Sequence, residues 1–240
     1  MKIEIHIFAE GQTERKVIDK LRTLLPNYSL NVVECGGKTN INRQLQQKLR
    51  FSLNLQPVRA LILRDLDDGE TYERIVQSVR DGMIQVFRKS NINEVPQFAP
   101  LPLYKNIYAW KSASLNFHIA VHIADYDYRW DTSFTKSTID DLVLRLAFDP
   151  NVATILAQRQ NVNVNGQVII QKVTQEIPAL LQQNGFPLWS EAKDYVRLYA
   201  AVLRMHTSPP VFAETVLADM DDSLLQQNFA SIIAAIEALQ

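Results

Sequence analysis

Residues 3–14 read Ile3-Glu4-Ile5-His6-Ile7-Phe8-Ala9-Glu10-Gly11-Gln12-Thr13-Glu14, and residues 60–70 read Ala60-Leu61-Ile62-Leu63-Arg64-Asp65-Leu66-Asp67-Asp68-Gly69-Glu70. Each is a strand-like apolar run that ends in a cluster of acids. In an open α/β sheet, ligands sit outside the carboxyl ends of the strands. Two neighbouring strands ending this way converge several carboxylates on one spot. Such a cluster is costly unless something positive sits in it, and a hard divalent cation is the natural occupant.

Working outward, the first 115 residues alternate strand and helix signals. Val17, Leu21, Leu24 and Leu25 have helical spacing, and Pro26-Asn27 stops that helix. Leu30 to Cys35 reads as a second strand. Gly36-Gly37 turns into a helix from about Asn40 to Leu53, and Val58 to Leu63 is the third strand. Ile75, Val79, Met83 and Val86 stripe a helix over Thr71 to Phe87. Pro96, Pro100 and Pro102 frame a short extended piece, and Ile107 to Trp110 reads as the last strand. Repeated β-α-β units with short loops predict a parallel sheet of about four strands with right-handed crossovers, with strand one central.

After Lys111 the pattern turns helical. Leu115–Ala124, Thr138–Ala147, Val152–Gln158, Val168–Gln183, Ser190–Arg204 and Ser223–Leu239 all read as helices, the last with a wide apolar stripe. The expectation is an α/β domain over residues 1–112 and a mainly helical extension over 113–240. Gln160 to Gln167 reads as a loop or a short hairpin turning at Asn165-Gly166.

Several other features carry competing readings. Asp65-x-Asp67 places two carboxylates on one side of an extended chain end, although Asp-rich strand ends also serve as helix caps. Gly36-Gly37-Lys38-Thr39 is not a Walker A loop, because the position needing the first glycine is Val32. A helix start with a lysine beside it still suits a phosphate, which makes Lys38 a candidate phosphate binder. His118 and His122 have i,i+4 spacing, but Ile119 rules out the His-Glu-x-x-His zinc motif, and packed histidines are the expectation. Asp125-Tyr126-Asp127 and Asp219-Met220-Asp221-Asp222 read as helix caps. Lys193, among Ser190, Glu191 and Asp194, reads either as folding over the acidic site or as part of a solvated helix face.

The N-terminal half resembles a TOPRIM domain over roughly residues 1–112. Glu10-Gly11 matches that fold's glutamate-glycine turn after strand one, and Asp65-x-Asp67 matches its Asp-x-Asp after strand three. Gly36-Gly37-Lys38 resembles the glycine turn of stand-alone bacterial TOPRIM-like proteins. The Glu-Gly-x-Thr-Glu form that includes Glu14 is nearest the OLD-family nuclease branch. The resemblance implies Mg²⁺ or Mn²⁺ held by Asp65, Asp67 and an acid of the first turn, with Glu10 as general acid/base. Glu14 and Asp68 stand next as ligand candidates. It implies a metal-dependent phosphodiesterase acting on nucleic acid, that is, a nuclease. OLD proteins usually carry an ATPase module, and this chain has no P-loop, so the activity is expected either to depend on a protein partner or to be lost. The alternative is a non-catalytic binding or partner protein that keeps the fold.

Composition sets the outer bounds. The chain has 240 residues, 47% of them hydrophobic, enough for one large core or for a core with an extension. Residues 1–115 hold 17 Lys and Arg against 12 Asp and Glu, while residues 116–240 hold 8 against 14. The half with the acidic clusters is thus the basic half, which suits a phosphate-bearing substrate. The single cysteine, Cys35, excludes an internal disulfide and reads as a buried, inert thiol. No run approaches the roughly 18 apolar residues of a membrane span, and the opening run is too short for a signal peptide. These readings point to the cytoplasm and away from a membrane.

Overall fold

The computed structural model describes residues 2–53, 57–187, 189–218 and 220–240. Six strands are joined in one sheet: β1 (Ile3–Ala9), β2 (Tyr28–Glu34), β3 (Val58–Arg64), β4 (Ala99–Leu101), β5 (Tyr104–Lys111) and β6 (Phe117–Ile123). Their order is β2-β1-β3-β6-β5-β4. The first four of that order are parallel, and β5 and β4 add an antiparallel edge. Strand β1 lies inside, between β2 and β3. The sheet is therefore larger than the expected four strands and is mixed rather than purely parallel.

Strand β6 is the main correction. The helix expected over Leu115–Ala124 is this strand, paired along its whole length with β3 from Val58↔Phe117 to Arg64↔Ile123. All seven of its residues are buried. Apart from His118 and His122 the strand is apolar, as a strand covered on both faces is, and periodicity alone does not separate it from a buried helix. His118 and His122 share a face at strand spacing as they would at helix spacing.

Helices α1 (Gln12–Leu21), α2 (Ile41–Leu49) and α3 (Tyr72–Lys89) follow the first three strands. One face of the sheet, with Phe8, Ala60, Ile62, Ile119 and Val121, packs against Ile41, Leu45 and Leu49 of α2 and Ile75, Val79, Met83 and Val86 of α3. Fully burying an aliphatic side chain contributes about 1.5–3 kcal/mol, so this layer supplies much of the unit's stability. Helices α2 and α3 approach closely at Gly82, where a Cβ would stand 2.3 Å from Asn42 Oδ1.

The remaining helices are α4 (Ile139–Ala147), α5 (Pro150–Arg159), α6 (Gly166–Gln171), α7 (Ile177–Gln183), α8 (Ala192–Val202), α9 (Pro209–Leu217), α10 (Asp222–Asn228) and α11 (Ala230–Glu237). The chain divides into residues 1–124 with 222–240, and residues 125–221. The division expected at 112/113 is replaced because β6 belongs to the sheet and α11 returns to it. Helix α11 lies against β5 and β6, and His122 Nε2 sits 3.0 Å from Ser231 Oγ. Burial pushes the His122 imidazole down to about 3, so it is neutral and packed, as expected of it.

In the second unit, Tyr199 of α8 donates its hydroxyl to Ala147 O at 3.0 Å and its ring stacks edge-on against Phe212 of α9. Asp149 caps α5 and Asn165 caps α6, so Asn165-Gly166 opens a helix rather than turning a hairpin. Asp125 accepts from Asp127 N at 3.1 Å and caps a short 3-10 turn. Asp222 opens α10, and Asp219 lies outside the described residues. Lys193 pairs with the buried Asp140 at 3.7 Å within this unit. Among the described residues, no helix is long and apolar enough to cross a membrane.

Candidate functional site

The site forms where three parallel strands end side by side. Strand β1 ends at Ala9, β2 at Glu34 and β3 at Arg64. The β1–β2 ladder continues one step past both ends: Cys35 N donates to Ala9 O and Gly37 N to Glu10 O, each at 2.9 Å. Gly36 and Gly37 have φ of 69° and 111°, the left-handed region that side chains avoid, and they turn the chain so that Lys38 follows at once.

Five side chains then form one charge chain. Arg64 Nε donates to Glu10 Oε2 at 3.2 Å, and its Nη2 lies 3.5 Å from Glu70 Oε1. Lys38 Nζ donates to that same Glu70 oxygen at 3.1 Å and to Asp67 Oδ2 at 2.5 Å. The loop after β3 holds its own acid in place, since Asp67 N donates to Glu70 Oε2 at 3.3 Å. Asp65 N reaches Glu10 Oε2 at 3.4 Å, which ties the end of β3 to the turn after β1. Arg64 is 6% exposed, so its guanidinium is committed to these acids, whereas Lys38 is 38% exposed.

The electrostatics follow the geometry. The bond to Asp67 holds the Lys38 ammonium above its ordinary value, against its partial burial, with Glu70 adding to the effect. Burial, with the nearby Glu10 and Glu14 charges adding, pushes the Cys35 thiol up to about 11. A protonated thiol is a poor nucleophile and ligand, so Cys35 is inert as expected. The loops at 10–14 and 65–70 carry six carboxylates, against which this network sets Lys38 and Arg64.

The candidate residues take different places. Glu10, Asp67 and Lys38 meet in this network, and Asp65 joins through its amide. Glu14 is 6% exposed and accepts from Gly11 N at 3.1 Å, holding the start of α1. Asp68 is exposed and stands outside the network. Sequence reasoning gave no role to Arg64 or Glu70, which join the two halves. Arg64 was visible as the one charge at the end of an otherwise apolar strand end, and Glu70 as the last acid of its cluster.

The donor set, carboxylate oxygens only, has the chemistry of a hard cation such as Mg²⁺ or Mn²⁺. As the side chains stand, ammonium and guanidinium groups occupy those oxygens. Among the described residues no group of three or more His, Cys, Asp or Glu is arranged to hold a metal ion.

Across its whole length, and across 98% of the other chain, the protein is similar to the crystal structure of hypothetical protein PH0156 from Pyrococcus horikoshii OT3, with a TM-score of 0.56 and 14% sequence identity. The two share a fold. No protein-family profile matches the chain, and no curated protein does.

Proposed function

We propose that this protein is a TOPRIM-like, divalent-metal-dependent phosphodiesterase of the cytoplasm that acts on nucleic acid. The observation that supports this most is the meeting of Glu10, Asp67 and Glu70 at the carboxyl ends of adjacent parallel strands, bridged by Arg64 and Lys38. Ligand sites in open α/β sheets belong at such a place. Asp65 and Asp67 would hold the ion, with Glu70 beside them once Lys38 moves off. When bound, the ion would supply polarisation of a phosphoryl oxygen and an acidified water.

The chain's own residues do the rest. Arg64 and the Asp65 amide fix Glu10 Oε2, so the Glu10 carboxylate is positioned to take or give a proton. Lys38, the more exposed of the two cations, is placed to meet a substrate phosphate. The test is Mg²⁺- and Mn²⁺-dependent cleavage of a nucleic-acid panel by the wild type, Asp65→Ala and Asp67→Ala. Cleavage lost in both variants supports the reading, and equal rates in all three proteins overturn it.

A second reading, a non-catalytic binding protein, is favoured by one observation: the carboxylates are already balanced by Lys38 and Arg64. Absence of calorimetric Mn²⁺ binding to the wild type would select it.

A further inference from the structure

From Cys35 to Arg64 the chain runs thirty residues without an Asp or Glu and carries six Lys and Arg. Lys38 and Arg64 belong to the acid site, and Arg59 lies in β3. Arg43, Lys48 and Arg50 are exposed on or just beyond α2. Ile41, Leu45 and Leu49 face the sheet, so Arg43, Gln47 and Arg50 share the opposite, solvent-facing stripe at i, i+4 and i+7.

A cavity of about 270 Å³ opens at the C-terminal end of α2, lined by Gln46, Gln47, Arg50, Phe51 and Lys89. It has an aromatic face, two cations and two amides, and no acid. Phe51 is 71% exposed, unusual for a phenyl ring. The Arg50 guanidinium carbon lies 5.3 Å from its ring centroid, and Lys89 Nζ donates to Gln46 Oε1 at 2.7 Å. Ser90 Oγ holds Arg50 O at 3.1 Å, tying the end of α2 to the end of α3.

We infer that this cavity holds one nucleotide unit of a single-stranded nucleic acid, with the base stacked on Phe51 and the phosphate at Arg50 and Lys89. An exposed ring flanked by cations is a stacking platform, and stacking demands an unpaired base. Gln46 is engaged by Lys89 and by Gln85, to which its Nε2 donates at 2.9 Å, so the Gln47 amide is the group that offers a donor and an acceptor to a base edge. Lys38 opens the segment that leads into α2 and the cavity closes its far end, about 14 Å away for a nine-residue helix. A polymer spans that distance and a mononucleotide does not. The inference deepens the phosphodiesterase reading by naming a polymeric substrate, and it rests on that reading only for delivery of the strand to the acids.

The experiment is fluorescence anisotropy with a labelled fifteen-residue oligothymidylate in EDTA, which separates binding from cleavage. Phe51→Ala should weaken binding roughly fivefold to a hundredfold, the range for one lost base stack. Arg50→Ala/Lys89→Ala should reduce the slope of log affinity against log salt by about 0.7, the value for one single-strand phosphate contact. Arg22→Ala, an exposed basic control, should change neither. These sites are exposed, so circular dichroism melts should match the wild type. Unchanged affinity in Phe51→Ala overturns the inference, as does tighter binding to duplex DNA or to phosphatidylserine vesicles. Hydrolysis of a small phosphodiester without oligonucleotide binding sinks this inference and leaves the phosphodiesterase reading standing. Phe51-dependent binding with no hydrolysis of any substrate does the reverse.

Discussion

Two acidic regions of this molecule solve the same electrostatic problem differently. At the strand ends, Glu10, Asp67 and Glu70 are balanced by Arg64 and Lys38, side chains brought from other loops and strands. At the start of α4, Asp141 is balanced locally: its Oδ2 accepts from Thr138 N at 2.8 Å and from Thr138 Oγ1 at 3.0 Å, a capping box. The first arrangement is exchangeable, because an ammonium on a flexible stem can be replaced by another cation. The second is not, because backbone donors cannot leave without unwinding the helix. Acid content alone therefore does not mark a site; what sets the strand ends apart is several acids from different loops sharing an exchangeable lysine.

The largest effect that would break this comparison is expected at Glu10. Glu10→Gln should lower metal-dependent hydrolysis by roughly 10²–10⁴-fold, the usual contribution of a positioned general acid or base. Mn²⁺ binding by calorimetry should be largely retained. Initial rates within a few-fold of the wild type would remove Glu10 from the chemistry.

Thr138→Ala tests the other region. Losing the cap should destabilise the protein by about 1–2 kcal/mol, read as a lower melting temperature, with hydrolysis rates unchanged at a temperature where the variant is folded. The same region carries a pH signature. Burial pushes Asp141 up to about 6 from its ordinary 3.8. The folded state then holds this proton more tightly than the unfolded one. Stability from Asp141 is full below about 3.8 and is lost as pH rises through about 6. Asp141→Asn should flatten that part of the profile in urea midpoints measured between pH 4.5 and 7.5.

The smallest effect sharpens the exchangeable side. Lys38→Met removes a resident cation from Asp67 and Glu70. A half-exposed pair is worth about 0.5–1 kcal/mol, so Mn²⁺ affinity should tighten roughly two- to fivefold while substrate affinity falls. Unchanged Mn²⁺ affinity would mean that Lys38 does not compete for those oxygens.

Much of the first unit was legible because its signals are local. The alternation in Ile3–Phe8, the stripe Ile75-Val79-Met83-Val86 and the Gly36-Gly37 turn each name their element without help from distant residues. Strand β6 was not legible, since it is buried on both faces and its polar pair, His118 and His122, shares a face at helix spacing as well as at strand spacing. The edge strand β4 spans only three residues, too few for a pattern. Of the site, Glu10, Lys38 and Asp67 were readable from their places at strand ends. The bridging roles of Arg64 and Glu70 were not, because they depend on the register that sets β3 beside β1.

Helix α11 carries a consequence for how the chain is made. The face of β6 that it covers, with His122 against Ser231, is translated about a hundred residues before its cover. During synthesis the sheet waits, one apolar face open, while residues 125–221 emerge. Completion of the first unit thus waits until residues 222–240 are made, and a ribosome stalled near residue 221 would present that bare face to chaperones.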